Sequence, residues 1–168
     1  TFFINSLAHI WGSQPFTDRN TARDNGILAF FTFGEGYHNF HHLFENDYRN
    51  GIRWWQFDPT KWLIRSASWC GLARDLRSCP EERIEQARLE MQLKRAQAKL
   101  RKREDRELWQ ALLQEEYDKL SQQLQLYYAS RKSLLEQRKR KALARYDKLK
   151  LQLEYRNLHD GFVASKRN

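Results

Sequence analysis

Between Pro80 and Gly161 the chain contains neither proline nor glycine, and nothing else in it limits the fold so strongly. The two residues least compatible with a helix interior are missing over a stretch several times the length of an average helix. Pro80-Glu81-Glu82 supplies a start, with proline near the first turn and acids against the positive end of the helix dipole. Apolar residues then recur at helical steps of three and four. Leu89, Leu93, Ala96 and Leu100 form one set; Trp109, Leu113, Tyr117, Leu120, Leu124 and Tyr127 a second; Ala142, Tyr146, Leu149 and Leu153 a third. That alternation is a seam of coiled-coil type. Two weak stretches cross it: the consecutive charged residues 101–107, and residues 129–133. One straight helix over residues 81–158 would be about 115 Å long at 1.5 Å per residue. The pattern therefore predicts two or three helices folded back on each other, with one long helix pairing with a copy as the alternative.

The first 80 residues have a different chemistry. They hold only eight of the 30 Lys and Arg and seven of the 21 Asp and Glu, so nearly all of the net charge of +9 lies beyond them. They also hold four of the five histidines and most of the aromatic residues. We therefore expect a compositional boundary near Cys79-Pro80. It divides residues 1–79 from a helical, coiled-coil-like extension at 80–160 and a flexible end at 161–168. Two cysteines, Cys70 and Cys79, make neither a disulfide framework nor the paired spacing of a zinc knuckle. No secretory leader is recognisable, and no apolar run approaches the roughly 18–20 residues of a bilayer span. The opening Thr1, in the middle of an apolar aromatic phrase, is expected to mark a chain whose beginning is missing.

The chemistry-bearing residues are concentrated in His38-Asn39-Phe40-His41-His42. On a helix, positions three and four apart share a face, so the three imidazoles converge on one small volume. Imidazole binds zinc, copper, iron and nickel, and a thiolate-free, histidine-rich set suits redox-active iron more than structural zinc. His9 is the natural fourth member. It stands on a predicted helix with apolar Phe2, Phe3, Leu7, Ile10 and Trp11, where an unpaired imidazole is costly to bury. Asn5, one turn earlier on the same face, brings a carbonyl within reach of a metal or a metal-bound water. A second apolar segment lies at residues 27–33 and a helix is expected from Pro59, with a polar loop over residues 13–25.

Asn5-Ser-Leu-Ala-His9-Ile-Trp-Gly12, then Pro15-Phe16, Asn25 and Gly34-Glu-Gly-Tyr-His-Asn-Phe-His-His42, resemble the C-terminal part of the membrane-bound fatty acyl desaturases, above all the delta-nine acyl-CoA type. The resemblance continues through Asp47-Tyr48, Arg53-Trp54 and Leu72-Ala73-Arg74-Asp75, covers about the first 77 residues, and stops before Pro80. It implies a mostly α fold: the helical C-terminal part of a membrane histidine-box desaturase, followed by a long helical tail. It implies an enzyme that uses two non-haem irons, O2 and electrons from a separate ferredoxin- or cytochrome-type donor. Such an enzyme places a cis double bond in a saturated acyl chain carried on CoA. It further implies integral membrane residence, with the histidine boxes and tail on the cytosolic side. By the same likeness His9, His38 and His42 ligate one iron, His41 the other, and Asn5 approaches through a water. Glu35 and Asn39 have supporting roles, and Phe2, Tyr37, Phe40 and Trp54 shape the acyl tunnel or pack the cap. The family's two earlier histidine boxes are not found here, and the remaining histidine, His159, lies in the tail. The chain alone is accordingly expected not to desaturate.

Two other readings follow from the same residues. The basic tail is one, an interaction module for an anionic lipid surface or for a second copy of itself. A histidine-box membrane hydroxylase is the other. Nucleic acid is not an expected partner, because the basic residues are interleaved with acids and no recognition motif accompanies them.

Overall fold

A computed structural model describes the backbone of residues 2–101 and 103–165, and the side-chain surroundings of residues 5–101 and 103–157. Six helices follow in order: α1 (Phe2–Ile10), α2 (Gly26–Phe31), α3 (His38–Leu43), α4 (Pro59–Trp69), α5 (Glu81–Leu100) and α6 (Arg106–Ser165). Among the described residues there is no strand, only isolated bridges from Asp24 to Ser13 and to Tyr37. The mostly α expectation holds.

Local chemistry sets the helix ends. The Asn25 side chain accepts from the Ile27 and Leu28 amides and starts α2. Asp58 caps α4 by accepting from the Lys61 amide, with Pro59 in the first turn. Beyond Trp69 the chain reaches Gly71 at φ +73°, a conformation that suits glycine, and the helix does not continue. Helices of six residues such as α2 and α3 have little stability alone, so packing must hold them. Gly36 is where they meet. A Cβ there would overlap the Ala29 amide nitrogen, and Asn25 N donates to Gly36 O at 2.8 Å.

The buried centre of this part comes from three distant stretches of sequence: Phe16 in the first loop, Phe40 in α3 and Ile84 in α5, with Leu43, Phe44, Ile52, Cys79 and Ala87 against them. The α5 helix also grips the loop that holds Phe16. The Arg88 guanidinium lies over the Phe16 ring at 5.1 Å, Lys94 pairs with Asp18 at 2.6 Å, and Arg95 Nη2 donates to Gln14 O at 2.7 Å. The compositional boundary at Pro80 is thus not a spatial one. By contacts the chain divides into Thr1–Leu124 and Gln125–Asn168.

Within the all-charged stretch α5 ends at Leu100 and α6 begins at Arg106, an interruption that its composition predicts. Arg103 N donates to Leu100 O, and the Asp105 carboxylate takes bonds from Arg103 and from Trp109 Nε1 at 2.7–2.9 Å. The first part of α6 returns along α5. Gln86 Nε2 donates to Tyr117 Oη at 2.9 Å, and Ser121 Oγ donates to Gln86 Oε1 at 3.3 Å. The second expected interruption, at residues 129–133, is not a break, because α6 runs through it and on to Ser165. Serine, arginine, lysine and alanine weaken an apolar seam without stopping a helix. In Gln125–Asn168 the seam residues Tyr146, Leu149 and Leu153 are exposed.

Candidate metal centre

His38 and His42 lie one turn apart on α3, and their Nε2 atoms are 3.0 Å from each other. His9 comes from α1, with ring centroids 4.9 Å from His38 and 5.7 Å from His42. One nitrogen from each of the three rings falls within 4.8 Å of the others. Two nitrogens on adjacent corners of one ion, each about 2.1 Å from it, stand roughly 3 Å apart. The His38–His42 pair already has that separation. Its donor set of neutral nitrogen suits iron, copper, nickel or zinc.

The surroundings keep His38 unprotonated. Burial chiefly, then the neighbouring His42, His9 and His41, pushes its pKa down to about 4, so the ring is neutral at neutral pH. His41 stands apart. It is exposed, its ring is 6.3 Å from His38 and 5.8 Å from His42, and it does not join the three-nitrogen cluster.

The α3 helix is held from behind by Asn39 and Asp24. Asn39 is fully buried and uses both ends of its amide. Its Oδ1 accepts from Phe16 N and Thr17 N at 2.9 and 3.2 Å, while Nδ2 donates to Thr17 O and Ala22 O at 2.8 and 2.9 Å. Asp24 Oδ1 accepts from Asn39 N and Phe40 N at 2.8 and 3.1 Å, satisfying two first-turn amides of the helix. Burial nevertheless raises its pKa to about 6, against the lowering effect of those amides and of Arg88.

The other expected site residues lie as follows. Asn5 is exposed on α1, one turn before His9, and Glu35 is exposed in the turn between Gly34 and Gly36. Tyr37 is buried against Gly51, Phe40 is in the core, and Trp54 is 85% exposed, so the first two pack and the third faces outward. The Phe2 side chain falls outside the described residues. Sequence reasoning missed Asp24 and also the anchor of the Trp54 loop. Buried Asp58 there accepts from the amides of Asn50, Gly51 and Lys61, and Lys61 Nζ donates to Gly51 O and Arg53 O. The Asp58-Pro59 helix start was the available signal for that anchor; Asp24 offers none.

The sequence model of the fatty acid desaturase family matches residues 1–68, the span that holds His9, His38, His41 and His42. Residues 1–68 are thus similar to the fatty acid desaturases. Acyl-CoA desaturase 1 of Saccharomyces cerevisiae is 56% identical over 99 residues, 59% of this chain and 19% of that one. A probable acyl-CoA desaturase of Schizosaccharomyces pombe is 56% identical over 85 residues, 51% of this chain and 18% of its own. Delta-9 desaturase-like 5 protein of Arabidopsis thaliana is 46% identical over 77 residues, 46% of this chain and 26% of its own. The chain thus spans about a fifth to a quarter of the length of these desaturases. A match of 99 residues must also pass Pro80 and reach the end of α5, further than the sequence motifs alone carried the likeness.

Proposed function

We propose that this chain carries part of the iron site of a desaturase that acts on fatty acyl-CoA. His9, His38 and His42 serve one iron and His41 a second. Asn5 reaches the first through a water, and Asn39 and Glu35 act as supports. The observation that carries the reading is the meeting of His9 with His38 and His42, from separate helices, inside a desaturase-family segment. The separation of His41 from the three-nitrogen cluster supports its assignment to another ion. Two irons, when bound, supply the O2-dependent oxidation that removes two hydrogens from a saturated acyl chain. The protein's part is to keep His38 neutral and to aim the imidazoles, with Asp24 and Asn39 fixing the helix that holds three of them.

Electrons come from a separate ferredoxin- or cytochrome-type donor, and the setting is a membrane with the histidines on its cytosolic side. No helix among the described residues is long and apolar enough to cross a bilayer. Exposed Ile27, Phe30, Phe31 and Phe33 nonetheless offer an apolar face of the kind a membrane setting requires. Exposed seam residues in Gln125–Asn168 support self-association of the tail.

Anaerobic iron(II) titration tests the site: changing His38 and His42 together to Ala should abolish tight binding, and an unchanged stoichiometry overturns the reading. For the reaction, residues 1–99 replace the matching segment of the Saccharomyces cerevisiae enzyme. Membranes holding that chimera should turn a saturated acyl-CoA into its mono-unsaturated product, and should stop doing so with His38→Ala. A hydroxylated product would instead favour the hydroxylase.

A further inference from the structure

His9 stands on α1, apart from the helix that holds the other imidazoles, so its aim has to be set by its own contacts. Its Nδ1 lies 2.8 Å from Thr21 Oγ1. Thr21 belongs to the loop between α1 and α2, and that loop is tied to both histidine-bearing helices beside the ligand positions. Arg23 N donates to Ala8 O at 2.8 Å, one residue before His9. Asn39 Nδ2 donates to Ala22 O at 2.9 Å, one residue after His38. Ala22 N donates to Asn20 Oδ1 at 3.1 Å and closes the turn around Thr21. The hydroxyl is therefore held in register with the same two helices that bring the rings together.

A neutral imidazole has one protonated nitrogen and one with a free lone pair, and the hydrogen bond made by the first decides which nitrogen faces a metal. We propose that Thr21 is a positioning residue for the metal centre: its hydroxyl accepts the Nδ1 proton of His9 and so presents Nε2 as the ligand atom. His9 then offers the same nitrogen as His38 and His42, whose Nε2 atoms already face each other. The proton remains on Nδ1, and the threonine oxygen limits rotation of a ring that α1 alone leaves free to turn. This inference rests on the metal-site reading above and adds a residue outside the desaturase motifs.

Two measurements on the 168-residue chain test it. Long-range 1H–15N correlation on the metal-free chain at pH 7.5 should show His9 protonated at Nδ1; protonation at Nε2 overturns the proposal, even should a variant fail to fold. Cobalt(II) titration, read by its visible absorption, should give 10- to 100-fold weaker binding for Thr21→Val, which keeps the shape but removes the acceptor. Thr21→Ser, which restores the hydroxyl, should bind within about threefold of the unchanged chain. Wild-type affinity for Thr21→Val overturns the proposal, and so does an equal loss in Thr21→Ser. Changing His38 and His42 together to Ala separates the two ideas. Binding lost in that variant but kept in Thr21→Val sinks the Thr21 role alone, whereas no cobalt bound by the unchanged chain sinks both.

Discussion

Asp24 places a carboxylate behind the histidine helix, where burial works against its charge while two amides and Arg88 favour it. Its pKa rises from 3.8 to about 6, so between those values the folded chain holds more protons than the unfolded chain. Stability from this group is fully present below the lower value and is lost as pH rises through the upper one. His38 works in the opposite sense. Its pKa falls from 6.5 to about 4, so its contribution is present above the higher value and disappears as pH drops through the lower one. Asp24→Asn keeps an oxygen for the two amides and removes the charge. Thermal melts should show it gaining about 1–3 kcal/mol over the unchanged chain at pH 7.5, with little gain at pH 4.5. An equal gain at both would mean that the buried charge is not what matters. None of this is legible in the sequence, where Asp24 is one acid in a polar loop. His38 and His42 were legible because a spacing of four on one helix brings their rings together, whereas the expected convergence of His41 on the same volume does not occur.

At the level of elements, α5 is an inner wall and not an appendage. Ile84 is buried with Phe16 and Phe40, while Arg88, Lys94 and Arg95 hold the loop that Asn39 binds from the other side. The ion pair of Lys94 and Asp18 is exposed and worth little, so apolar contact must do most of the holding. Ile84→Ala should cost about 2–4 kcal/mol by chemical denaturation, and Lys94→Ala less than about 1 kcal/mol. A reversed order would transfer the holding to charge. The start of α5 at Pro80-Glu81 and its break after Leu100 could be read from composition, since proline, a run of charge and helix formers act locally. Its docking could not. Ile84 meets Phe16 and Phe40 through contacts across the chain that no local pattern encodes, and the drop in aromatic content at Pro80 pointed to a boundary instead.

Taken as a whole, the molecule divides at Leu124, well inside α6 and well beyond the change in composition. The described residues after that point are almost all exposed. A chain ending at Leu124, which keeps the first unit whole, should bind cobalt(II) within about twofold of the full chain; a loss of about tenfold would tie the far helix to the site. The helical character of the chain beyond Pro80 was legible from the glycine- and proline-free stretch, and the uninterrupted run of α6 past residues 129–133 was not. Ending the chain at Pro80 is a different matter, because α5 closes the core over Phe16 and Phe40. Exchange of the C-terminal extension is thus constrained: a graft joined at the compositional seam severs the packing of Ile84 on Phe16 and Phe40, while one joined beyond Leu124 leaves that packing in place.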